Sequence, residues 1–112
     1  MEKGPSTFAE YWTSPYNELE HFLKHGWQMG YEDDFIGYSQ AAKNLALSDV
    51  NEIVLSYTRD DGCICKFDRT SKHFVVINKE GKIVTFYKIR ERNFMKDYEK
   101  WKLYAEDTNK EE

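Results

Sequence analysis

Residues 52–89 read EIVLSYTRDDGCICKFDRTSKHFVVINKEGKIVTFYKI, and β-forming residues dominate four short runs of that stretch. The runs cover 52–58, 63–68, 73–78 and 82–89, each with side chains falling alternately on two faces. Between the first two, Asp61-Gly62 is a strong hairpin signal, because glycine reaches the left-handed backbone that tight hairpin turns need. Residues 69–72 and then Lys79-Glu80-Gly81 supply two further short turns. Three short turns in succession leave no room for crossover helices, so residues 51–89 are expected to form a four-stranded antiparallel meander.

Working outward, the period lengthens on both sides. Ser14-Pro15 reads as a helix start, with Ser as N-cap, Pro in the first turn, and Glu18 and Glu20 near the positive end of the dipole. A helix over 15–25 stops at Gly26 and puts Leu19, Phe22, Leu23 and Gly26 on one face, with His21, Lys24 and His25 on the other. Residues 27–34 connect to a second helix over 35–47, with Ile36, Tyr38, Ala41, Ala42 and Leu45 inward. The helical part thus spans 15–48. Residues 1–14 read as a loose lead-in, broken at Pro5 and Pro15, with Phe8, Tyr11 and Trp12 available as anchors. A closing helix is predicted over 92–105, using Phe94, Tyr98, Trp101 and Leu103 or Ala105 for packing. Residues 106–112 should fray. The fold class is α+β: two N-terminal helices, the meander and a C-terminal helix, in one domain over 1–112.

The 112 residues suit a single domain, and a chain 40% apolar and 16% aromatic can bury a core. No apolar run approaches the roughly 20 residues that span a bilayer, and Met1-Glu2-Lys3-Gly4-Pro5 lacks the apolar stretch of a secretory signal. A cytosolic site of action is expected. Cys63 and Cys65, two apart on a strand, point the same way and are poorly placed to bond each other. With His73 they lack zinc spacing, and they read as reduced, structural thiols.

The net charge of −4 hides a strong asymmetry. Residues 1–58 carry three Lys against nine acids, residues 59–103 carry twelve Lys and Arg against seven acids, and 104–112 carry one Lys against four acids. The sheet and last helix are therefore basic between acidic ends. Such a surface can meet phosphate, though charge blocks are also commonly just solvated faces.

Three constellations could carry chemistry. His21 and His25 stack one above the other on a helix with Lys24 beside them. An imidazole can move protons near neutral pH, and a neighbouring ammonium lowers its pKa or steadies a phosphorane. The same spacing also suits two histidines on a solvated polar face. Alternation puts Ile83, Thr85 and Tyr87 on one face of the fourth strand and Val84, Phe86 and Lys88 on the other or near its end, Thr85 either filling a half-exposed position or presenting a hydroxyl to phosphate. Arg59, at the end of the first strand, is a natural bidentate phosphate ligand or a partner for the acids that follow it. There is no Gly-rich phosphate loop, no nucleophile elbow, no convincing carboxylate pair and no cofactor box.

Taken in order, His21-x-x-Lys24-His25-Gly26 with Gly30, Tyr38 with Ala42, Arg59 with Gly62, then Asp68, Phe74, Gly81, Ile83, Thr85 and Phe86 resemble the colicin D-like ribonuclease toxin domains. These belong to the wider barnase/RelE/colicin-like group found in bacterial contact-dependent and polymorphic toxins. The likeness spans about residues 18–88. Phe67 stands where Tyr is usual, Ser71 where Thr is common, and a helix follows the last strand.

The resemblance implies a metal-independent endoribonuclease that acts on RNA, in many relatives tRNA. Its 2′-OH transesterification would leave a 2′,3′-cyclic phosphate and need no cofactor. It implies His25 as the proton-transfer residue and Lys24 and Arg59 as phosphorane stabilisers. Thr85 would hydrogen-bond the scissile phosphate, with His21 and Tyr87 as secondary candidates. The basic segment, including Lys66, Lys88 and Arg90, would track the RNA backbone. It further implies an acidic immunity or antitoxin protein as partner, and delivery as part of a larger exported toxin. The alternative is a catalytically inactive relative that binds RNA or protein.

Overall fold

In a computed structural model of the chain, residues 8–110 are described, the side chains of 106–110 excepted. Pro5 and the rest of 1–7, and residues 111–112, lie outside the described residues. Helix α1 spans Pro15–His25, helix α2 Phe35–Ala46, and the strands β1 Val54–Thr58, β2 Ile64–Asp68, β3 His73–Ile77 and β4 Ile83–Lys88 precede helix α3 at Glu91–Lys110. The strands lie side by side in the order β1-β2-β3-β4, every pair antiparallel. The architecture is the expected α+β meander between helices.

Local chemistry accounts for the boundaries. Ser14 Oγ accepts a hydrogen bond from the Asn17 amide at 3.0 Å, with Pro15 opening the first turn of α1. Asp34 caps α2 in the same way through the Gly37 amide at 2.9 Å. Gly62 takes φ +89° in the first hairpin, which a side chain would strain.

The sheet is covered on both faces. Tyr38, Ala42 and Leu45 of α2 pack with Trp12, Val54, Val75, Ile77, Ile83 and Phe86. On the opposite face, Phe94 of α3 closes over Tyr57, Cys65, Phe67, Phe74 and Val76, its ring stacked on Phe67 with centroids 4.7 Å apart.

Several sequence expectations change. The lead-in is anchored in its described part: after a 3-10 turn at Ala9–Tyr11, Trp12 is buried and bridges Ile83 in parallel along the outer edge of β4. Helix α3 runs on to Lys110, past the expected fraying point, with Leu103 and Ala105 exposed. Ile36 is also exposed. On α1 the inward face is rotated from the expected one. Glu18 and Gly26 are buried and His21, Phe22 and His25 half-buried, while Leu19 and Leu23 are exposed. Apolar periodicity misplaces this face because the helix sits at the sheet edge, where polar side chains find partners on β4.

The alternation of β4 is also broken. Val76 pairs with Thr85 but Ile77 pairs with Ile83, leaving Val84 as an extra residue in a β-bulge. Ile83 and Phe86 therefore share the α2 face, while Val84, Thr85 and Tyr87 turn to the α3 side. Strict alternation would have put Ile83 with Thr85.

Candidate functional site

Helix α1 lies along β4 in matched steps. Asn17 Nδ2 donates to the carbonyl of Val84 at 2.9 Å and to Thr13 Oγ1 at 2.8 Å. One turn on, His21 Nδ1 and Thr85 Oγ1 share a hydrogen bond of 3.2 Å, the imidazole tautomer setting which donates. Another turn on, the His25 ring stacks on Tyr87 with centroids 5.0 Å apart. The two imidazoles stack on each other at 5.7 Å, and Trp12 lies 6.0 Å from His21. The β-bulge at Val84 lies beside the first step of this ladder.

Thr85 and Tyr87 also line a cavity of about 490 Å³ between the sheet and α3. Arg59 enters it from the end of β1, with Tyr57, Phe74 and Val76 from the sheet and Asn93 and Asp97 from α3. Arg59 Nη2 lies 3.5 Å from Asp61 Oδ2, while its buried Nε has no hydrogen-bond partner among the described residues. A guanidinium in a cavity wall is a natural bidentate ligand for an anion.

The electrostatics favour neutral imidazoles. Burial lowers the His21 pKa, and the Lys24 charge lowers it further against a small opposing effect of Glu20. Burial lowers that of His25 too, helped by His21 and then Lys24. Lys24 itself is exposed beside the pair. Burial raises the Tyr87 pKa and keeps the phenol protonated, although the Arg59 charge pulls the other way.

The structure therefore places Thr85, Tyr87 and Arg59 on one cavity, with His21 and His25 behind its wall in contact with Thr85 and Tyr87 and with Lys24 exposed beside them. Lys88 and Arg90 lie farther along, in an adjoining cavity of about 650 Å³ at the end of β4. Ile89 and Asn93 line both cavities, which therefore adjoin. Lys66 stands apart from them. Its ammonium donates to the carbonyls of Ala46 at 2.8 Å and Ser48 at 2.7 Å, capping the end of α2 on the opposite face of the sheet. Asn17, Asn93 and Asp97 were not singled out from sequence. Asn17 falls four residues before His21, and Asn93 and Asp97 flank Phe94 and Tyr98, so the helical period could have flagged them once those neighbours were known to face the site.

Among the described residues, no group of three or more His, Cys, Asp or Glu is arranged to hold a metal ion. No helix there is long and apolar enough to cross a membrane. Cys63 and Cys65 are both free, Cys65 buried and Cys63 half-buried.

No protein-family model matches the chain, and no curated protein matches it. One similar solved structure is a ribonuclease from Escherichia coli complexed with its inhibitor protein. It is 21% identical, covers 79% of this chain and 95% of that chain, and has a TM-score of 0.48. At that identity and score it assigns nothing to individual residues.

Proposed function

We propose that the chain is a metal-independent endoribonuclease of the colicin D-like toxin kind, acting on RNA, with tRNA as its substrate. The observation that carries this reading is the paired contact of α1 with β4. His21 meets Thr85 at 3.2 Å, and His25 stacks on Tyr87, at the wall of a cavity that also holds Arg59.

In the proposed reaction His25, kept neutral by burial and by the neighbouring His21 and Lys24, takes the proton of a ribose 2′-OH. The 2′-oxygen attacks the adjacent phosphorus, and the bond from phosphorus to the 5′-oxygen breaks. The departing 5′-oxygen takes a proton from the Tyr87 phenol, and the products are a 2′,3′-cyclic phosphate and a free 5′-OH. Arg59 and Lys24 neutralise the phosphorane, and Thr85, held by His21, hydrogen-bonds a non-bridging oxygen. His25 then returns its proton through water to Tyr87, restoring both groups.

The test uses purified chain and its His25→Ala variant with total bacterial tRNA in excess EDTA. Discrete fragments with cyclic-phosphate ends from the parent alone would support the reading. Intact RNA from folded parent would sink it.

A binding-only reading draws on a separate observation. Tyr16, Leu19, Leu23 and Trp27 stand exposed along the outer side of α1 and the turn after it, a surface suited to another protein. An acidic inhibitor, as expected of such toxins, would complement the cations of the two cavities.

A further inference from the structure

The cavity beyond the histidines has a chemistry of its own. Its wall carries two amide side chains, Gln28 from the turn Gly26–Met29 and Asn93 from α3, together with the apolar Ile89 and the cations Lys72, Lys88 and Arg90. The acid in this wall, Glu91, is already neutralised. Its Oε1 lies 3.0 Å from Lys72 Nζ, and its Oε2 lies 2.9 Å from Arg69 Nη2. Lys88 and Arg90 make no side-chain hydrogen bond or ion pair among the described residues, and neither amide is engaged through its side chain. Uncommitted cations beside uncommitted amides, over an apolar patch, is what one nucleotide requires. Phosphate takes the charge, the base face takes the apolar contact, and the base edge takes a donor and an acceptor from the amides. The volume is within the usual range for small-ligand pockets.

We infer that this cavity is a nucleotide subsite that selects the base flanking the scissile phosphate. Gln28 and Asn93 read the base edge, Ile89 supports its face, and Lys88 and Arg90 hold the adjoining phosphate. The inference rests on the ribonuclease reading for the place of the cut. Ile89 and Asn93 line both cavities, so a strand seated at Thr85 and Arg59 would meet this cavity next. Gln28 is the cleaner reporter, because it lines this cavity and not the one holding Arg59 and Thr85.

The experiment uses four RNA oligonucleotides that differ at one base beside the cleaved bond, with a matching 2′-O-methyl set that cannot be cut. Cleavage rates and fluorescence-anisotropy binding are measured for parent, Gln28→Ala and Asn93→Ala. The parent should prefer one base by about tenfold or more, and Gln28→Ala should bring the four rates within about threefold of each other. A preference unchanged in both variants would overturn the subsite and leave the ribonuclease reading standing, as would a parent that cuts all four equally. Base-dependent binding to the 2′-O-methyl set without any cleavage, abolished in Gln28→Ala, would keep the subsite and remove the nuclease. Neither cleavage nor base-dependent binding would overturn both.

Discussion

Asn17 and Val84 are separated by 67 residues in sequence and joined by one hydrogen bond of 2.9 Å, from the amide side chain to the carbonyl beside the bulge. That bond sets the step on which the rest of the α1–β4 ladder depends. Sliding α1 along β4 would part His21 from Thr85 and His25 from Tyr87 together.

Asn17→Ala should therefore cost about 1–2 kcal/mol of stability, seen as a lower urea midpoint. Cleavage by the folded protein should fall by about tenfold to a hundredfold, since small displacements of catalytic groups are costly. Asn17→Asp should be worse on both counts, because it sets an acceptor against the Val84 carbonyl. Full activity in Asn17→Asp would show that the ladder does not position the histidines.

The pH profile should carry the mark of the imidazole pair. Both histidines titrate below the ordinary 6.5, so the acidic limb of kcat/KM should lie below that value. Lys24→Gln removes a charge that disfavours both imidazolium ions, and the limb should move up toward 6.5. A limb that stays in place would separate Lys24 from the histidines electrostatically.

Stability should follow the same groups. His21, His25 and His73 are all lowered mainly by burial, so below 6.5 the unfolded chain takes up protons that the folded chain refuses. Their stabilising effect is full above 6.5 and is lost as pH falls through 6.5 toward the depressed folded values. Urea midpoints at about pH 7.5 and about pH 5.5 should show the loss, before any carboxylate enters its own range.

Thr85→Val keeps the branched shape that the bulge accommodates and removes the hydroxyl. The fold should persist, while cleavage falls by about a hundredfold or more, as expected for loss of one positioned donor. Arg59→Gln should act in the same direction. Asp61→Asn should leave stability close to the parent's, because the Arg59–Asp61 contact is exposed and long at 3.5 Å.

Lys66 separates two explanations of the same positive charge. Lys66→Met removes donors from two carbonyls at the end of α2 and should destabilise by about 1–3 kcal/mol. The salt dependence of RNA binding should stay as in the parent. Lys88→Ala and Arg90→Ala should do the reverse, leaving stability alone and reducing the salt slope by about one unit each.

Much of the architecture is written in local signals. Ser14-Pro15 starts α1 at the expected residue, and Asp61-Gly62 and Lys79-Glu80-Gly81 close the two outer hairpins. The site was legible as candidate residues but not as an arrangement. No periodicity shows a bulge, since an extra residue at Val84 is defined only by what stands opposite on β3. The exposure of Leu19 and Leu23 beside buried Glu18 is equally a tertiary fact, decided by where α1 lands on the sheet. Lys66 shows the same limit, because a lysine in a basic segment looks alike whether it faces a ligand or a helix end.

The separation of His21 from Thr85 by 64 residues has a consequence for biosynthesis. A growing chain exposes its histidine helix long before β4 has left the ribosome, and the cavity closes only when α3 packs over Phe67 and Phe74. On the proposed ribonuclease reading, nascent fragments would therefore be inert toward the RNA that surrounds them, and cleavage would begin only with the finished, folded molecule.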